Sequence, residues 1–292
     1  MMLELPMQPP IGTPELDAQY NNRAMVPEHV QMYEAWQPMC GQVMRDFPSH
    51  QGVAYGTSKR EIMDIVLPKG PGPHPLLVYI HGGYWMSRDI SDQTFLARAY
   101  ADAGIAFALI EYDLIPSVRM ADVIRQCRTA TQWLHDHAGD YGIDRERIFV
   151  SGHSAGGHLT AVMAATDWPA ETGGPKNLMK GGIALSGIYD LAPIQAGYMQ
   201  ETLALTDEEV ERDSPLNDAT APTMPLLVVP GGGESDAFKW QSRSLVNAWN
   251  AKGGDLRYLE PAGCNHFTIL AEFADPESEL ARATMALVKN GG

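Results

Sequence analysis

The chain has 292 residues, 45% of them hydrophobic, and its 36 Asp and Glu against 21 Lys and Arg give a formal net charge of −15. That length suits one large α/β domain, and the acidic balance argues against nucleic acid or an anionic membrane surface as a partner, since either would call for clustered Lys and Arg. Cys40, Cys127 and Cys264 are odd in number and lack metal-ligand spacing, while Met1-Met2-Leu3-Glu4-Leu5-Pro6 has neither a basic segment nor an apolar core. The expectation is a cytoplasmic protein with no membrane span, no metal and no cofactor.

Residues 1–13 are rich in proline and read as an arm. From Pro14 to Phe47 the apolar residues Val30, Met32, Tyr33, Trp36, Met39 and Val43 recur at three- and four-residue spacings, a helical preface. Val53–Tyr55 and Ile62–Leu67 alternate around a Gly-Thr-Ser turn, which predicts an antiparallel hairpin. Strand and helix patterns then alternate: strand Leu76–Ile80, helix Asp92–Ala103, strand Ile105–Ile110, helix Met120–Ala138, strand Arg147–Val150 and helix Ala155–Ala165. Strands Gly182–Leu185 and Leu226–Val229, helix Trp240–Ala251, strand Leu256–Leu259 and a helix around Leu280–Lys289 complete the series. The strands are continuous apolar runs, the pattern of parallel strands buried on both faces, and the alternation predicts a mostly parallel central sheet with helices on both faces. Residues 1–50 are expected to pack on a single domain of 51–292, with a lid-like insertion at 188–224, where the rhythm breaks.

Four loops carry chemistry. Strand Arg147–Val150 runs through Ser151 into Gly152-His153-Ser154-Ala155-Gly156, a Gly-x-Ser-x-Gly turn between strand and helix, which makes Ser154 a candidate nucleophile. A serine nucleophile needs a base to take its proton, an acid to orient that base, and donors for the oxyanion. Strand Leu226–Val229 ends in Pro230–Asp236, offering Glu234 and Asp236 as orienting acids. The strand after it ends in a loop holding His266, the last of nine histidines and the candidate base. Upstream, His81-Gly82-Gly83-Tyr84-Trp85 follows strand Leu76–Ile80. Its two glycines let backbone amides approach a substrate oxygen, so Gly82, Gly83 and Tyr84, with Ala155 after the serine, are the candidate oxyanion donors. Tyr84, Trp85, Tyr189 and Phe267 adjoin these motifs and are candidate walls for a flat, apolar group, making a small aromatic molecule the expected partner; a homodimer is left open.

Several features read as structural. His135 and His137 are two apart on a helix and face apart, His158 one turn beyond Ser154 reads as packing, and Asp207-Glu208-Glu209 reads as a solvated helix start. Gly231–Gly233 lack the lysine and serine of a phosphate cradle.

Taken together, His81–Trp85, Gly152–Leu159, Ser186–Leu191, Glu234–Phe238 with Gln241-Ser242, and Asn265–Phe267 resemble the kynurenine formamidase (arylformamidase) group of α/β-hydrolases, as does Leu16–Arg23 at the amino-terminal end. The Tyr-Trp pair after the glycines separates it from hormone-sensitive-lipase-like esterases, which usually have a third glycine. The resemblance implies an α/β-hydrolase fold and an enzyme that hydrolyses a formamide or ester on an aromatic ring, N-formylkynurenine being the group's named substrate. Members often have Asp where Glu234 stands; position favours Glu234 as the acid, and chemistry allows Asp236. The alternatives are a broad carboxylesterase, an amidase for another N-acyl group, or a non-catalytic binding protein.

Overall fold

The computed structural model describes residues 2–291. Helices α1 (Pro14–Tyr20), α2 (Asn22–Met25) and α3 (His29–Asp46) come first. Thr13 and Asn21 cap the first two by accepting from Leu16 N and Ala24 N, and Pro14 opens α1 at a position where its missing amide costs nothing. Eight strands follow: β1 (Ser49–Ala54), β2 (Ile62–Val66), β3 (His74–Ile80), β4 (Ala106–Ile110), β5 (Ile143–His153), β6 (Gly181–Leu185), β7 (Leu226–Val229) and β8 (Leu256–Tyr258). The intervening helices are α4 (Ala97–Asp102), α5 (Met120–Asp136), α6 (Ala155–Ala165), α7 (Trp168–Thr172), α8 (Ala192–Gln195), α9 (Gln200–Leu203), α10 (Asp207–Asp213) and α11 (Asp236–Ala251). α12 (Thr268–Ala274) and α13 (Glu279–Asn290) come last.

The strands form one sheet in the order β1-β2-β4-β3-β5-β6-β7-β8. β2 runs antiparallel to β1 and β4, and every pairing from β4 to β8 is parallel. Alternate residues of each strand enter different cores. Leu77 and Tyr79 pack with α3, α4, α12 and α13 on one face, whereas Leu76, Val78 and Ile80 meet residues of α5 and α6 on the other. With both faces covered, every residue from Leu76 to Ile80 is buried, which is why the strand reads as an unbroken apolar run. α6 is buried almost all round and lies directly on β5 and β6.

The chain winds from β3 to β4 on one side and from β5 to β8 on the other, so the direction of winding reverses between β3 and β5. In open α/β sheets ligands bind beyond the carboxyl ends of the strands at such a switch point. Here that point lies between the turn after Ile80 and the one after His153.

The expected elements differ from the observed ones mainly at their ends. β1 extends back to Ser49, with exposed polar residues that hide it from an apolar pattern. The first part of the expected Asp92–Ala103 helix is a pair of 3₁₀ turns, Ile90–Asp92 and Thr94–Leu96. α11 begins at Asp236 rather than Trp240, because Ser235 caps it by accepting from Phe238 N. Glu209 in α10 is buried and pairs with Arg119, correcting the expectation of a wholly solvated acidic stretch. Among the described residues no helix is long and apolar enough to cross a membrane.

Candidate active site

β5 ends at His153 and α6 begins at Ala155, leaving Ser154 between them with φ 58° and ψ −117°. Such a backbone is costly for a side-chain-bearing residue and persists only where its surroundings fix it. Ser154 N donates to Leu185 O at 2.8 Å, and His158 N donates to Ser154 O at 3.0 Å. The turn also needs bare backbone beside it: a Cβ on Gly156 would lie 1.9 Å from Ile80 O. The serine side chain is thereby aimed beyond the carboxyl edge of the sheet.

His266 comes from the loop after β8. Its Nε2 lies 3.0 Å from Ser154 Oγ, and its Nδ1 lies 2.5 Å from Glu234 Oε1. The other Glu234 oxygen accepts from Ser186 Oγ at 2.9 Å and from Gly231 N at 2.7 Å. Both carboxylate oxygens therefore have fixed donors, and the carboxylate side chain is fully buried. Asp236, the second acid offered by the sequence, is corrected here: it is the exposed first residue of α11, turned away from His266 by the helix that Ser235 starts.

The turn after β3 supplies amides. Gly83, Tyr84 and Trp85 have φ of 117°, 53° and 57°. Among the described residues the amides of Gly83, Tyr84 and Ala155 donate to no acceptor in the chain. Gly82 packs against the elbow, where a Cβ would come within 2.7 Å of His153 O. Behind the turn, His81 stacks on Tyr112 with ring centroids 4.2 Å apart. Its Nδ1 lies 2.8 Å from Gly82 O and its Nε2 lies 3.1 Å from Oε1 of the buried Glu111. Glu111 also accepts from Ile90 N at 3.0 Å and pairs with Arg60, so both ends of the 81–90 segment are held from below.

A narrow cleft opens over Ser154 and His266. Tyr84 and Phe267 line it, as expected. Trp85 and Tyr189 do not, and their assignment as walls is corrected: Trp85 is buried edge-on to His158 at 5.1 Å, and Tyr189 lies in the core beside Leu245 and Trp249. The 188–224 segment contributes no lining residue either. Leu191, Ile194, Met199 and Leu203 anchor it in a core shared with α1 and α5. The roof comes instead from the helical preface, which brings Asn22, Arg23 and Tyr33 to the cleft. Tyr84 Oη donates to Tyr20 O at 2.5 Å, Ser235 Oγ donates to Gln19 O at 2.8 Å, and His29 stacks on Phe267 with centroids 4.9 Å apart. Sequence reasoning missed Asn22, Arg23, Tyr33, Arg88 and His153 as cleft residues. The one available signal was the Leu16–Arg23 segment, whose resemblance to the group's opening helix hinted at more than packing.

His153 and His158 are both buried and neutral. Desolvation, and then the neighbouring His266, hold His153 well below the usual histidine range; its Nε2–H donates to His266 O at 2.7 Å, and its ring packs 4.6 Å from that of His266. Burial lowers His158 to about 4, with its Nε2 bonded to Asp213 O at 2.7 Å. Among the described residues no cluster of His, Cys, Asp and Glu could hold a metal ion. A second, more open depression of about 460 Å³ lies between residues 164–169, 176–180 and 220–225, and no serine–histidine pair lines it.

Comparison with known proteins points the same way. The profile of the BD-FAE family matches residues 63–247. The chain is 28% identical over 243 residues to a kynurenine formamidase of Danio rerio, covering 81% of this chain and 80% of that one. It is 28% identical over 252 residues to esterase LipC of Mycobacterium tuberculosis, covering 78% and 62% of the two chains. A crystal structure of a candidate thioesterase from Silicibacter sp. superposes with a TM-score of 0.81 at 29% identity, over 94% of this chain and 99% of that one.

Proposed function

From a chain that belongs to the BD-FAE family of α/β-hydrolases, we propose a serine hydrolase that cleaves an aryl formamide, aryl amide or aryl ester through an acyl-enzyme, with N-formylkynurenine-like substrates favoured. The observation that carries this reading is the unbroken path Ser154 Oγ, His266 Nε2, His266 Nδ1, Glu234 Oε1, next to three unbonded amides. His266 takes the hydroxyl proton as Ser154 Oγ attacks the substrate carbonyl carbon. The resulting oxyanion is held by the amides of Gly83, Tyr84 and Ala155, with Gly82 keeping that turn against the elbow. His266 then gives its proton to the departing nitrogen or oxygen. Water, deprotonated by the same imidazole, releases the acid and restores Ser154. Glu234 keeps Nδ1 protonated and stabilises the imidazolium. A fixed donor aimed at a developing oxyanion contributes about two to three orders of magnitude in rate.

The likeness to the Danio rerio kynurenine formamidase supports the formamide reading, and the equal identity to the Mycobacterium tuberculosis esterase supports a broader esterase as the second one. The ratio of kcat/KM for N-formylkynurenine to that for p-nitrophenyl acetate separates them. In either case Ser154→Ala is expected to lower kcat by a factor on the order of 10⁴ to 10⁶ while leaving the melting temperature within a few degrees. Undiminished turnover in that variant rules out the serine mechanism. We assign residues 51–292 to the hydrolase domain and residues 1–50 to an arm and helices that close its cleft.

A further inference from the structure

Two of the side chains lining the cleft, Arg23 and Arg88, carry a full charge, and both are cationic in a chain where acids outnumber bases 36 to 21. Arg23 stands on α2 and donates from Nη2 to Ser87 Oγ at 2.8 Å. Among the described residues it forms no ion pair. Arg88 lies across the ring of Tyr33, its guanidinium carbon 3.6 Å from the centroid, and its contact with Asp92 is a loose 3.6 Å. Its backbone has a φ of 82°, and its carbonyl accepts from Arg60 Nη2 at 2.8 Å. Arg60 is in turn paired with the buried Glu111. The chain thus holds a non-glycine residue in an unfavourable conformation at the cleft and braces it from behind.

A net charge of −15 repels anions from the molecule as a whole, so an anionic substrate needs a local positive field at the mouth. Guanidinium groups suit a carboxylate, because their planar donors match its two oxygens. We infer that Arg23 and Arg88 form an anion-recognising subsite beside Ser154, selecting aryl acyl substrates that carry a carboxylate away from the scissile bond. This rests on the serine-hydrolase reading and assigns to it two specificity-determining residues.

The test compares kcat/KM within two matched pairs: N-formylkynurenine with its carboxamide, and the acetate ester of 3-(3-hydroxyphenyl)propionate with that ester's carboxamide. The wild-type chain is expected to favour the carboxylate member about tenfold or more, mainly through KM. Arg23→Gln and Arg88→Gln each reduce that preference severalfold, Arg23→Lys restores part of it, and raising the salt from 0.05 to 0.5 M erodes it in the wild type. Because the readout is a ratio within one variant, a purely structural role for either arginine lowers both members together and leaves the preference intact. Equal rates within the pairs, or a preference that survives both substitutions, overturns the subsite while the hydrolase reading stands. No Ser154-dependent turnover of any of the four compounds overturns both.

Discussion

Glu234 is held at both oxygens, and that makes its replacement informative. Glu234→Gln keeps the shape but loses the charge, and an amide nitrogen must then face one of the donors His266 Nδ1–H, Ser186 Oγ–H or Gly231 N–H. The expected result is a fall in kcat of about 10³ to 10⁴ with KM little changed, the size seen when a triad acid loses its charge. Asp236→Asn, on the exposed start of α11, is expected to leave both constants alone; steady-state kinetics on the two variants decides between the acids. Ser154 and His266 were legible in the sequence because each lies in a short loop directly after an apolar run. Glu234 and Asp236 were harder to separate, being two residues apart on one loop. What divides them is Ser235, whose hydroxyl starts α11 and turns Asp236 outward, a capping signal that is local but easily lost beside three consecutive glycines.

At the scale of elements, the β5–elbow–α6 unit tolerates no added atoms. Gly156→Ala would drive a methyl group into Ile80 O at 1.9 Å, against backbone that belongs to the central strand β3 and cannot yield cheaply. The expected cost is several kcal/mol, read as a melting temperature lower by more than about 10 °C or as loss of soluble protein. Gly139→Ala, where no atom lies within 4 Å of the new methyl group, serves as the tolerated control. The central strands were legible because burial on both faces leaves no polar residue to interrupt them. The 3₁₀ turns at Ile90–Leu96 and the seven-residue α12 were not, since one or two turns give no periodicity to read. The 188–224 segment read as a lid because it interrupts the alternation. Its short helices do interrupt it, but their apolar residues point into the core.

Across the whole molecule, buried neutral histidines set part of the acid limit of stability. The folded state lowers His158 to about 4 from 6.5. Between those values the unfolded chain therefore binds more protons, and stability rises with pH through that window. His153 acts in the same direction, whereas burial raises Asp218 to about 6 and so acts in the opposite one. His158→Gln is expected to shrink the gain in unfolding free energy from pH 4.5 to pH 7 by about 2 kcal/mol, measured by urea denaturation at the two pH values. An unchanged gain contradicts the assignment. The roof over the cleft was the least legible feature at this scale. It is made by pairs such as Gln19 with Ser235 and Tyr20 with Gln241, which no local pattern can reveal.

That roof also imposes an order on the making of the protein. Gln19, Tyr20 and His29 are made long before Ser235, Ala237, Gln241 and Phe267, yet they meet them in the finished fold. Those partners are synthesised roughly 220 residues later, an interval on the order of 10 to 45 s at ordinary elongation rates. During that interval Tyr20 has earlier partners such as Tyr84 but lacks those on the later loops, and a message truncated before Phe267 yields a chain whose roof over the cleft is never completed.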